Sequence, residues 1–451
     1  MKKINMLKIN CIVIAFLLLS GCANMLDDIR PKNQIAQDQL SDRDLEKVVN
    51  GIYAAMEEFV YSYYLDGDIK GENFKGGPGF ALNDPMLMTA GSSDVLSLWR
   101  KAYTTLKQVN FLVETYEADD NQESATVKTA GGTAYYFRAL IYYNMAIRWG
   151  GVPVLQKRTN DIVPISPENE VWNFILEDLE KAEQLLPEFS DKYYVSQSAN
   201  DALFAKTYLS LGNNAKAAEY AGKVIAKTNF ALASTSEEYA SSFIYNSQSK
   251  EIIFALANAR STGLLLIYQS INDVDPTWNY APADDCYAGL YADKTEKADD
   301  IRAQAVFSAS DNLRTIKFAN GQPGQFIANE SPSQSPIVVT RIAEMHLIQA
   351  EAQRNTPDGR QTLKTFLDKR YQTVSNIPAT ISDRDFQNMI LDERHREFYG
   401  EGFRWYDLKR TNRLDLFKSL NNRNYLMYFP VPQNEIDLAG KDNYPQNPEY
   451  N

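Results

Sequence analysis

The sequence predicts a mostly α-helical protein in which about four tetratricopeptide-like helix pairs pack against irregular, loop-rich segments. Apolar residues recur at intervals of three and four in several stretches, as they do on the buried face of a helix. These stretches come in pairs, and one pair has small residues at tetratricopeptide spacing. Two interruptions, roughly 60–93 and 259–337, are rich in Gly, Pro, Asn, Asp and Tyr. Long irregular segments in a compact domain are usually functional or disordered, so a ligand site is expected there.

The amino terminus has the pattern of a lipoprotein leader. Three lysines precede a largely apolar run at 9–19, which is too short to cross a bilayer as a helix. Leu19-Ser20-Gly21-Cys22 follows at once. Small residues before a cysteine are what a lipoprotein signal peptidase needs to reach the bond, so residues 1–21 are expected to be removed as a signal peptide.

Cys22 is then expected to be the first residue of the mature chain and to carry acyl chains. Residues 22–40 would form a lipidated tether, and residues 41–451 a single domain. Each buried methylene of an acyl chain contributes about 0.8 kcal/mol to membrane binding, and a lipoprotein carries several chains. The sequence therefore predicts a protein that is anchored in membrane lipid without a spanning segment.

Charge and cysteine content narrow the choice of partners. Removal of residues 1–21 takes away three of the 46 basic residues and none of the 58 acidic ones, which leaves 43 against 58 and a net charge of −15. Such an acidic chain is a poor partner for nucleic acid. With Cys11 removed and Cys22 acylated, Cys286 is the one remaining thiol, and no intramolecular disulfide is expected.

The helix expected at 128–149 has the clearest stripe of residues at intervals of three and four, which places them on one face of the helix. Its members are Ala134, Phe137, Ile141, Met145 and Arg148. Gly150-Gly151 and then Pro153 end the helix, because glycine frees the backbone and proline cannot continue the hydrogen-bond ladder.

The segment 200–227 has the clearest paired pattern. Ala205, Tyr208, Gly212 and Ala217 stand at tetratricopeptide intervals, with Asn213-Asn214 as the turn. Small residues at these positions allow two antiparallel helices to approach closely. Weaker pairs are predicted for 42–59 with 94–117, 128–148 with 168–187, and 340–354 with 359–372.

The densest cluster of charge lies between residues 393 and 410, where every acid has an arginine three or four positions away. The expected pairs are Glu393 with Arg396, Glu397 with Arg394, Glu401 with Arg404, and Asp407 with Arg410. Paired carboxylates have lowered pKa values and make poor general acids, so the cluster is interpreted as structural. Asp300 and Arg302 are likewise interpreted as a structural salt bridge.

The sequence contains no recognisable catalytic or metal-binding motif. His346 and His395 are the only histidines, and neither stands at the spacing of a metal site or of a nucleophile and its base. The sequence has no phosphate-binding glycine loop and no nucleophile elbow. We therefore expect no catalytic residue, no metal and no cofactor.

Several motifs occur in an order that is typical of one family. They are Gly51-Ile52-Tyr53, Tyr136-Phe137-Arg138-Ala139-Leu140, Arg148-Trp149-Gly150-Gly151-Val152-Pro153, Arg341-Ile342-Ala343-Glu344-Met345, Glu393-Arg394-His395-Arg396-Glu397-Phe398, and Glu401-Gly402-Phe403-Arg404-Trp405-Tyr406-Asp407-Leu408. Together with Cys22 near the start and Pro430-Val431-Pro432 near the end, they run almost the length of the chain. In these motifs the chain resembles the SusD/RagB family of outer-membrane nutrient-binding lipoproteins.

The resemblance implies a function as well as a fold. It implies a surface-exposed outer-membrane lipoprotein, anchored in the lipid through its acyl chains, whose loop-rich parts bind an oligomeric nutrient. It also implies a partner, a SusC-like TonB-dependent β-barrel transporter on which such a protein sits as a hinged lid. The ligand would be an oligosaccharide or, as in RagB-like relatives, a peptide. Two other classes stay open: a tetratricopeptide scaffold that binds only proteins, and a surface glycosidase.

Tryptophan placement suggests where a glycan would bind. Trp99, Trp149, Trp172 and Trp405 fall in helical segments and are expected in the core, whereas Trp278 lies between two prolines in a polar loop. A flat indole can stack on the apolar face of a sugar. The other candidates in this loop are the polar Asn279, Asp284 and Asp285 and the aromatic Tyr280, Tyr287 and Tyr291. The alternative is that Trp278 plugs the loop onto the body of the protein.

The other irregular segment supplies a second set of candidates. Tyr63, Tyr64, Asn73 and Phe74 precede Gly76-Gly77-Pro78-Gly79, which can turn sharply. They are predicted to contribute to the ligand site. The alternative is that the tyrosines face the transporter, since tyrosine is also favoured at protein interfaces.

Overall fold

A computed structural model describes residues 41–77, 82, 86–258, 280–284, 286, 290, 299–307, 315–318, 335–373 and 377–450. The predicted leader and tether, with Cys22, lie outside these residues. No helix in the described ranges is both long enough and apolar enough to cross a membrane.

The first six helices of the described residues form three consecutive pairs. They are α1 (Asp42–Lys70), α2 (Ser93–Ala118), α3 (Ala125–Trp149), α4 (Glu168–Leu185), α5 (Gln197–Ser210) and α6 (Asn214–Ile225). Each helix packs against the next one along the chain, as in a stack of tetratricopeptide units. The turn predicted between α5 and α6 is confirmed, because the Asn213 side chain accepts a hydrogen bond from the Lys216 amide and caps α6.

The fourth pair continues the same stack. Two short helices, α7 (Ser236–Ser241) and α8 (Ala303–Val306), come first, followed by the pair α9 (Ile342–Gln353) and α10 (Pro357–Arg370). Although a long stretch of chain separates α6 from α9, these two helices pack directly on each other. The prediction of a mostly α-helical fold with about four helix pairs is therefore confirmed.

The remaining helices are α11 (Asp383–Glu397), α12 (Arg404–Arg410) and α13 (Gln433–Ala439), with 3-10 turns at Leu414–Leu416, Asn424–Met427 and Pro448–Tyr450. The strands are β1 (Phe74–Gly76), β2 (Val152–Pro153), β3 (Ile165–Ser166), β4 (Ile252–Leu256), β5 (Tyr280–Pro282) and β6 (Ile337–Arg341). They form three antiparallel two-stranded sheets, in which β1 pairs with β5, β2 with β3, and β4 with β6.

Helix α3 lies at the centre of the core. Every residue from Ala130 to Trp149 is buried, because α2 and α4 cover it on both sides. Gly150 ends the helix with φ of 69°, a conformation that favours glycine, so the predicted stop is confirmed. The expectation that four tryptophans are core residues is also confirmed: Trp99, Trp149, Trp172 and Trp405 are all buried.

One boundary was predicted wrongly. The irregular segment expected to begin near residue 60 begins only after Lys70, because α1 continues for two to three further turns. Phe59, Val60 and Tyr63 are buried and extend the core-facing stripe of this helix. The aromatic residues that suggested a loop are therefore part of a packed helix.

The charge cluster is structural, as predicted, but half of its predicted pairs are wrong. The pairs Glu393–Arg396 and Asp407–Arg410 are present at 2.6 Å and 2.7 Å. Glu397 instead binds the guanidinium groups of Arg302, Arg341 and Arg370. Each of these arginines approaches from a different part of the chain, so the network ties distant segments together.

The sequence also predicted ion pairs for Glu401 and for Asp300. Glu401 binds Lys317 and Arg341, at 2.6 Å and 2.7 Å, in place of the predicted Arg404. The Asp300–Arg302 pair is confirmed at 2.7 Å, with both side chains buried.

Candidate functional site

The structure brings the two predicted loop regions together in one ribbon. Strand β1 comes from the first region and β5 from the second, and they pair antiparallel with Phe74 opposite Pro282 and Gly76 opposite Tyr280. The Ala283 amide donates to the carbonyl of Asn73 at 2.9 Å and extends the pairing by one residue. We call this feature the β1–β5 ribbon.

The exposed side of the β1–β5 ribbon carries a charged pair. Lys75 and Asp284 form a salt bridge, with 40% and 86% of their side chains exposed. An exposed pair of this kind contributes little to stability, so both groups are available to hydroxyl or charged groups of a ligand. Tyr61 lies partly buried close by, and burial together with Tyr280 raises the pKa of its phenol. Both tyrosines therefore stay neutral and can donate a hydrogen bond.

The other side of the ribbon packs into the protein. The Phe74 ring lies 6.2 Å from that of Tyr280 and 5.5 Å from that of Tyr399, measured between ring centroids. Phe74 and Tyr280 are both buried, at 4% and 9% exposure. Of the two, Tyr280 is nearer to the surface, and its contact with a ligand would be through an edge of the ring.

Asn73 is a hub for hydrogen bonds beneath the ribbon. Its amide donates to Asp68 Oδ1 at 2.8 Å, and its carbonyl oxygen lies 2.7 Å from Nε2 of His395. Because that oxygen can only accept, Nε2 of His395 carries the proton. Burial raises the pKa of Asp68 to about 7, although Asn73 and the Gly402 amide both donate to it. Asn73 is thus committed to protein partners and is a positioning residue.

Tyr63 and Tyr64 do not lie on an exposed loop, which corrects the prediction for both. The Tyr63 hydroxyl donates to the carbonyl of Leu98 at 3.1 Å, and its ring lies under the Arg148 guanidinium. Tyr64 donates to the carbonyl of Val339 at 3.1 Å. Asn73 and Phe74 are also buried rather than exposed. For Tyr63 and Tyr64 the physical reason is that α1 continues to Lys70 and includes both residues.

Five of the predicted ligand-binding residues lie outside the described residues. They are Trp278, Asn279, Asp285, Tyr287 and Tyr291. Their role stays a prediction. The pairing of Lys75 with Asp284 could not be predicted from the sequence, since these residues are 209 positions apart.

The buried acids of the 393–410 cluster bind cations: Glu393, Glu397, Glu401 and Asp407 each pair with an arginine or a lysine. In the part of the chain that the structure describes, no group of three or more His, Cys, Asp and Glu side chains could hold a metal ion.

Comparisons with known proteins agree on one family. Residues 27–209 match the family model described as "Starch-binding associating with outer membrane", and residues 312–424 match the model of the SusD family. A SusD-like protein of Formosa agariphila is 25% identical over 97% of this chain and 98% of its own length. The chain belongs to the SusD/RagB family. A second SusD-like protein of the same organism is 23% identical over 92% of this chain.

Solved structures of the SusD superfamily have the same fold. A SusD superfamily protein from Bacteroides thetaiotaomicron superposes with a TM-score of 0.75 at 21% identity, covering 91% of this chain and all of that one. A structure from Bacteroides vulgatus, described as a SusD-like carbohydrate binding protein, gives a TM-score of 0.67 at 21% identity and covers 82% of this chain and 83% of that one. At these identities the likeness establishes the fold alone.

Residues 210–311 lie between the two segments that match SusD family models. This unmatched segment contains β5 and the whole predicted loop from Trp278 to Tyr291. Helices α1 to α4, nearly all of α5, and α9 to α12 of this SusD/RagB protein therefore lie within the matched ranges, whereas β5 and the candidate ligand residues of the loop from Trp278 to Tyr291 do not. Their chemistry has to be argued from this chain alone.

Proposed function

We propose that this protein binds an oligosaccharide at the cell surface and delivers it to a SusC-like TonB-dependent β-barrel transporter. The observation that carries the proposal is the β1–β5 ribbon, which joins the two loop regions that the sequence singled out. The ribbon carries Tyr280 and the exposed Lys75–Asp284 pair, and Tyr61 of α1 lies close to it. Aromatic rings beside a few polar groups are typical of a sugar-binding site.

The chain position of Trp278 and Asn279 adds to this proposal. They directly precede Tyr280, the first residue of β5. We propose Trp278 as a stacking platform and Asn279, Asp284 and Asp285 as hydrogen-bonding groups, with Tyr287 and Tyr291 as further aromatic contacts. The carbohydrate-binding description of the Bacteroides vulgatus relative supports an oligosaccharide over a peptide. Binding without turnover is proposed, because the buried acids of the 393–410 cluster are bound to arginine and lysine.

Trp278→Ala is expected to weaken oligosaccharide binding roughly tenfold or more, with an unchanged melting temperature. Stacking on an aromatic ring contributes on the order of 1 kcal/mol beyond the burial of area, and the two effects add. The measurement is calorimetric titration with the tightest binder from a panel that includes maltoheptaose and a mixed peptide digest. Trp405→Ala is the matched control, because Trp405 is a core residue and its loss should lower the melting temperature.

A lowered melting temperature with unchanged affinity would mean that Trp278 plugs the loop onto the body. Tight binding of the peptide digest, with no binding of any oligosaccharide, would mean that the ligand is a peptide and not a glycan. Neither result would affect the family assignment.

Cys22→Ala is expected to release the protein from the outer membrane, because the acyl anchor on Cys22 is proposed as its only attachment to lipid. The measurement is the fraction of protein that sediments with outer membranes. In the same experiment, mild detergent should extract the wild-type protein together with a TonB-dependent barrel. Full sedimentation of the variant would contradict the anchor, and extraction of the wild type without any barrel would favour an independent scaffold.

A further inference from the structure

Within the described residues, one arginine of the 393–410 cluster has no ion-pair partner. Arg404 begins α12, and its Nη1 is buried without a hydrogen-bond partner. The Nη1 of Arg394 is also without a partner, but Arg394 forms an ion pair with Asp407 at 2.8 Å, as Arg396 does with Glu393 at 2.6 Å. Among the described residues Arg404 forms no ion pair at all, although the sequence predicted one with Glu401. A buried charge without a partner is costly, and native proteins rarely leave one unsatisfied.

Arg404 lines a cavity of about 290 Å³ beside the β1–β5 ribbon. The cavity adjoins the ribbon because Glu72 lies two residues before β1 and Cys286 lies four residues after β5. Arg396 and Lys418 line it as well, so three cationic side chains face one space. The volume is enough for a group of the size of one sugar unit.

Two carboxylates also line the cavity, and neither neutralises Arg404. Glu72 is committed elsewhere, since it accepts hydrogen bonds from the backbone amides of Lys418 and Ser419 at 2.9 Å and 2.8 Å. Asp392 is exposed and lies beyond ion-pair distance of Arg404. Burial lowers the pKa of Arg404, and the charges of Asp407 and Asp392 oppose this only in part, so the positive charge at the wall of the cavity has nearby acids but no ion pair in the part of the chain that the structure describes.

The uncharged groups of the cavity do not provide a counter-charge. Burial, and then Arg404 and Arg396, lower the pKa of His395 well below its ordinary value, so the ring is neutral. Its Nε2–H is already donated to Asn73. The Cys286 thiol donates to the carbonyl of Asn73 at 3.5 Å. Because Nη1 is closed off from solvent, an anion that entered the cavity would meet the other nitrogens of the Arg404 guanidinium, which form no ion pair within the described residues.

We propose that this cavity, the Arg404 pocket, binds an oxyanion: a carboxylate, sulfate or phosphate group that is either free or carried on an acidic sugar. A guanidinium presents its N–H groups in a planar fork that matches two oxygens of such a group, which a lysine cannot do. The position beside the ribbon suits a charged substituent on a bound glycan. The inference does not rest on the proposed glycan site, because it follows from the Arg404 pocket alone.

The test is calorimetric titration of the full chain in detergent with sodium sulfate, glucuronate and glucose, at constant ionic strength balanced with chloride. The wild type is expected to bind sulfate and glucuronate but not glucose. Arg404→Gln should weaken binding of both anions at least tenfold. Arg404→Lys keeps the charge but not the fork, and should lie in between. Arg100→Gln is the matched control, because Arg100 forms an exposed pair with Glu435, and it should bind as the wild type does.

Comparing glucuronate with acetate distinguishes an oxyanion carried on a sugar from a free oxyanion. Tighter binding of glucuronate indicates that the sugar is recognised together with its carboxylate, and equal binding indicates a site for the free ion. Equal sulfate affinity in the wild type and Arg404→Gln would overturn the proposal, as would a wild type that binds none of the anions.

Stability provides a second readout for the Arg404 pocket. Without added oxyanion, Arg404→Gln should melt at or above the wild-type temperature, because it removes a charge that has no partner. A melting temperature well below that of Arg100→Gln would show that Arg404 has a partner within the protein, and would also overturn the proposal. Binding of a neutral oligosaccharide should be the same in wild type and Arg404→Gln, so failure here and failure of the glycan site give different results.

Discussion

Glu397→Ala is expected to lower the free energy of unfolding by about 3–5 kcal/mol, the range for removing one member of a buried ionic network. The Glu397 carboxylate lies within 3.1 Å of each of three guanidinium groups, from Arg302, Arg341 and Arg370. All four side chains are fully buried. Without the carboxylate, these arginines keep Asp300, Glu251 and other acids, but the centre of the network becomes an uncompensated positive charge.

The effect of Glu397→Ala should also depend on pH. Burial alone would raise the pKa of the Glu397 carboxyl, but Arg370, Arg341 and Arg302 outweigh it and hold the pKa well below its ordinary value. A carboxyl whose pKa is lower in the folded state stabilises the protein above its unfolded pKa of about 4.3, and this contribution is lost as the pH falls further. The difference between wild type and variant should therefore be largest near neutral pH and shrink below about pH 4.

Urea unfolding at pH 7 and at pH 3.5 measures both expectations. Asp368→Ala is the matched control, because Asp368 forms an exposed salt bridge with Lys364 and its loss should cost less than about 1 kcal/mol. A Glu397→Ala variant that is as stable as Asp368→Ala at pH 7 would show that the network contributes no net stability.

The helical scaffold could be predicted because its signals are local. Periodicity and capping residues act within a few turns, and they identified all four helix pairs. The same holds for the ion pairs Glu393–Arg396 and Asp407–Arg410, whose members lie one helical turn apart. The partners of Glu397 could not be found in this way, since Arg302 is 95 residues distant in the chain.

The error at the end of α1 has an instructive cause. Asp66 and Asp68 gave the segment a polar appearance that suggested a loop. In the structure Asp66 pairs with Arg148 at 3.0 Å, and Asp68 accepts hydrogen bonds from Asn73 and Gly402. Polar residues in a helix are compatible with burial when a distant segment supplies their partners, and no local pattern reveals that.

The candidate site depends on the same kind of long-range information. Composition identified both loop regions, but the register that sets Phe74 opposite Pro282 joins segments about 200 residues apart. Arg404 illustrates the opposite case. Local spacing predicted a partner for it, and the structure assigns that partner, Glu401, to Lys317 and Arg341. The absence of an ion pair at Arg404 among the described residues could therefore not be predicted from local spacing and is seen only in the structure.

Asp178→Ala is expected to cost about 3–5 kcal/mol in the free energy of unfolding, because it removes the buried partner of Arg138. The Arg138 guanidinium donates Nε–H and Nη2–H to the two Asp178 oxygens, both at 2.7 Å, and so joins α3 to α4. Its Nη1 donates to the Asn110 side chain and to the carbonyl of Gln156. Arg138 and Asp178 are 2% and 0% exposed, so water cannot replace the lost carboxylate.

The double variant Arg138→Met with Asp178→Leu separates two explanations of this cost. If the cost comes from the charge left unpaired, apolar residues of similar size should restore most of the stability and leave a deficit of about 1–2 kcal/mol, mainly from the Asn110 and Gln156 acceptors that lose their donor. The complete cycle is measured by urea unfolding of the wild type, Arg138→Met, Asp178→Leu and the double variant. A double variant as unstable as Asp178→Ala would mean that the bidentate pair itself stabilises the packing of α3 on α4. In that case the pair contributes directly to the scaffold that holds the β1–β5 ribbon.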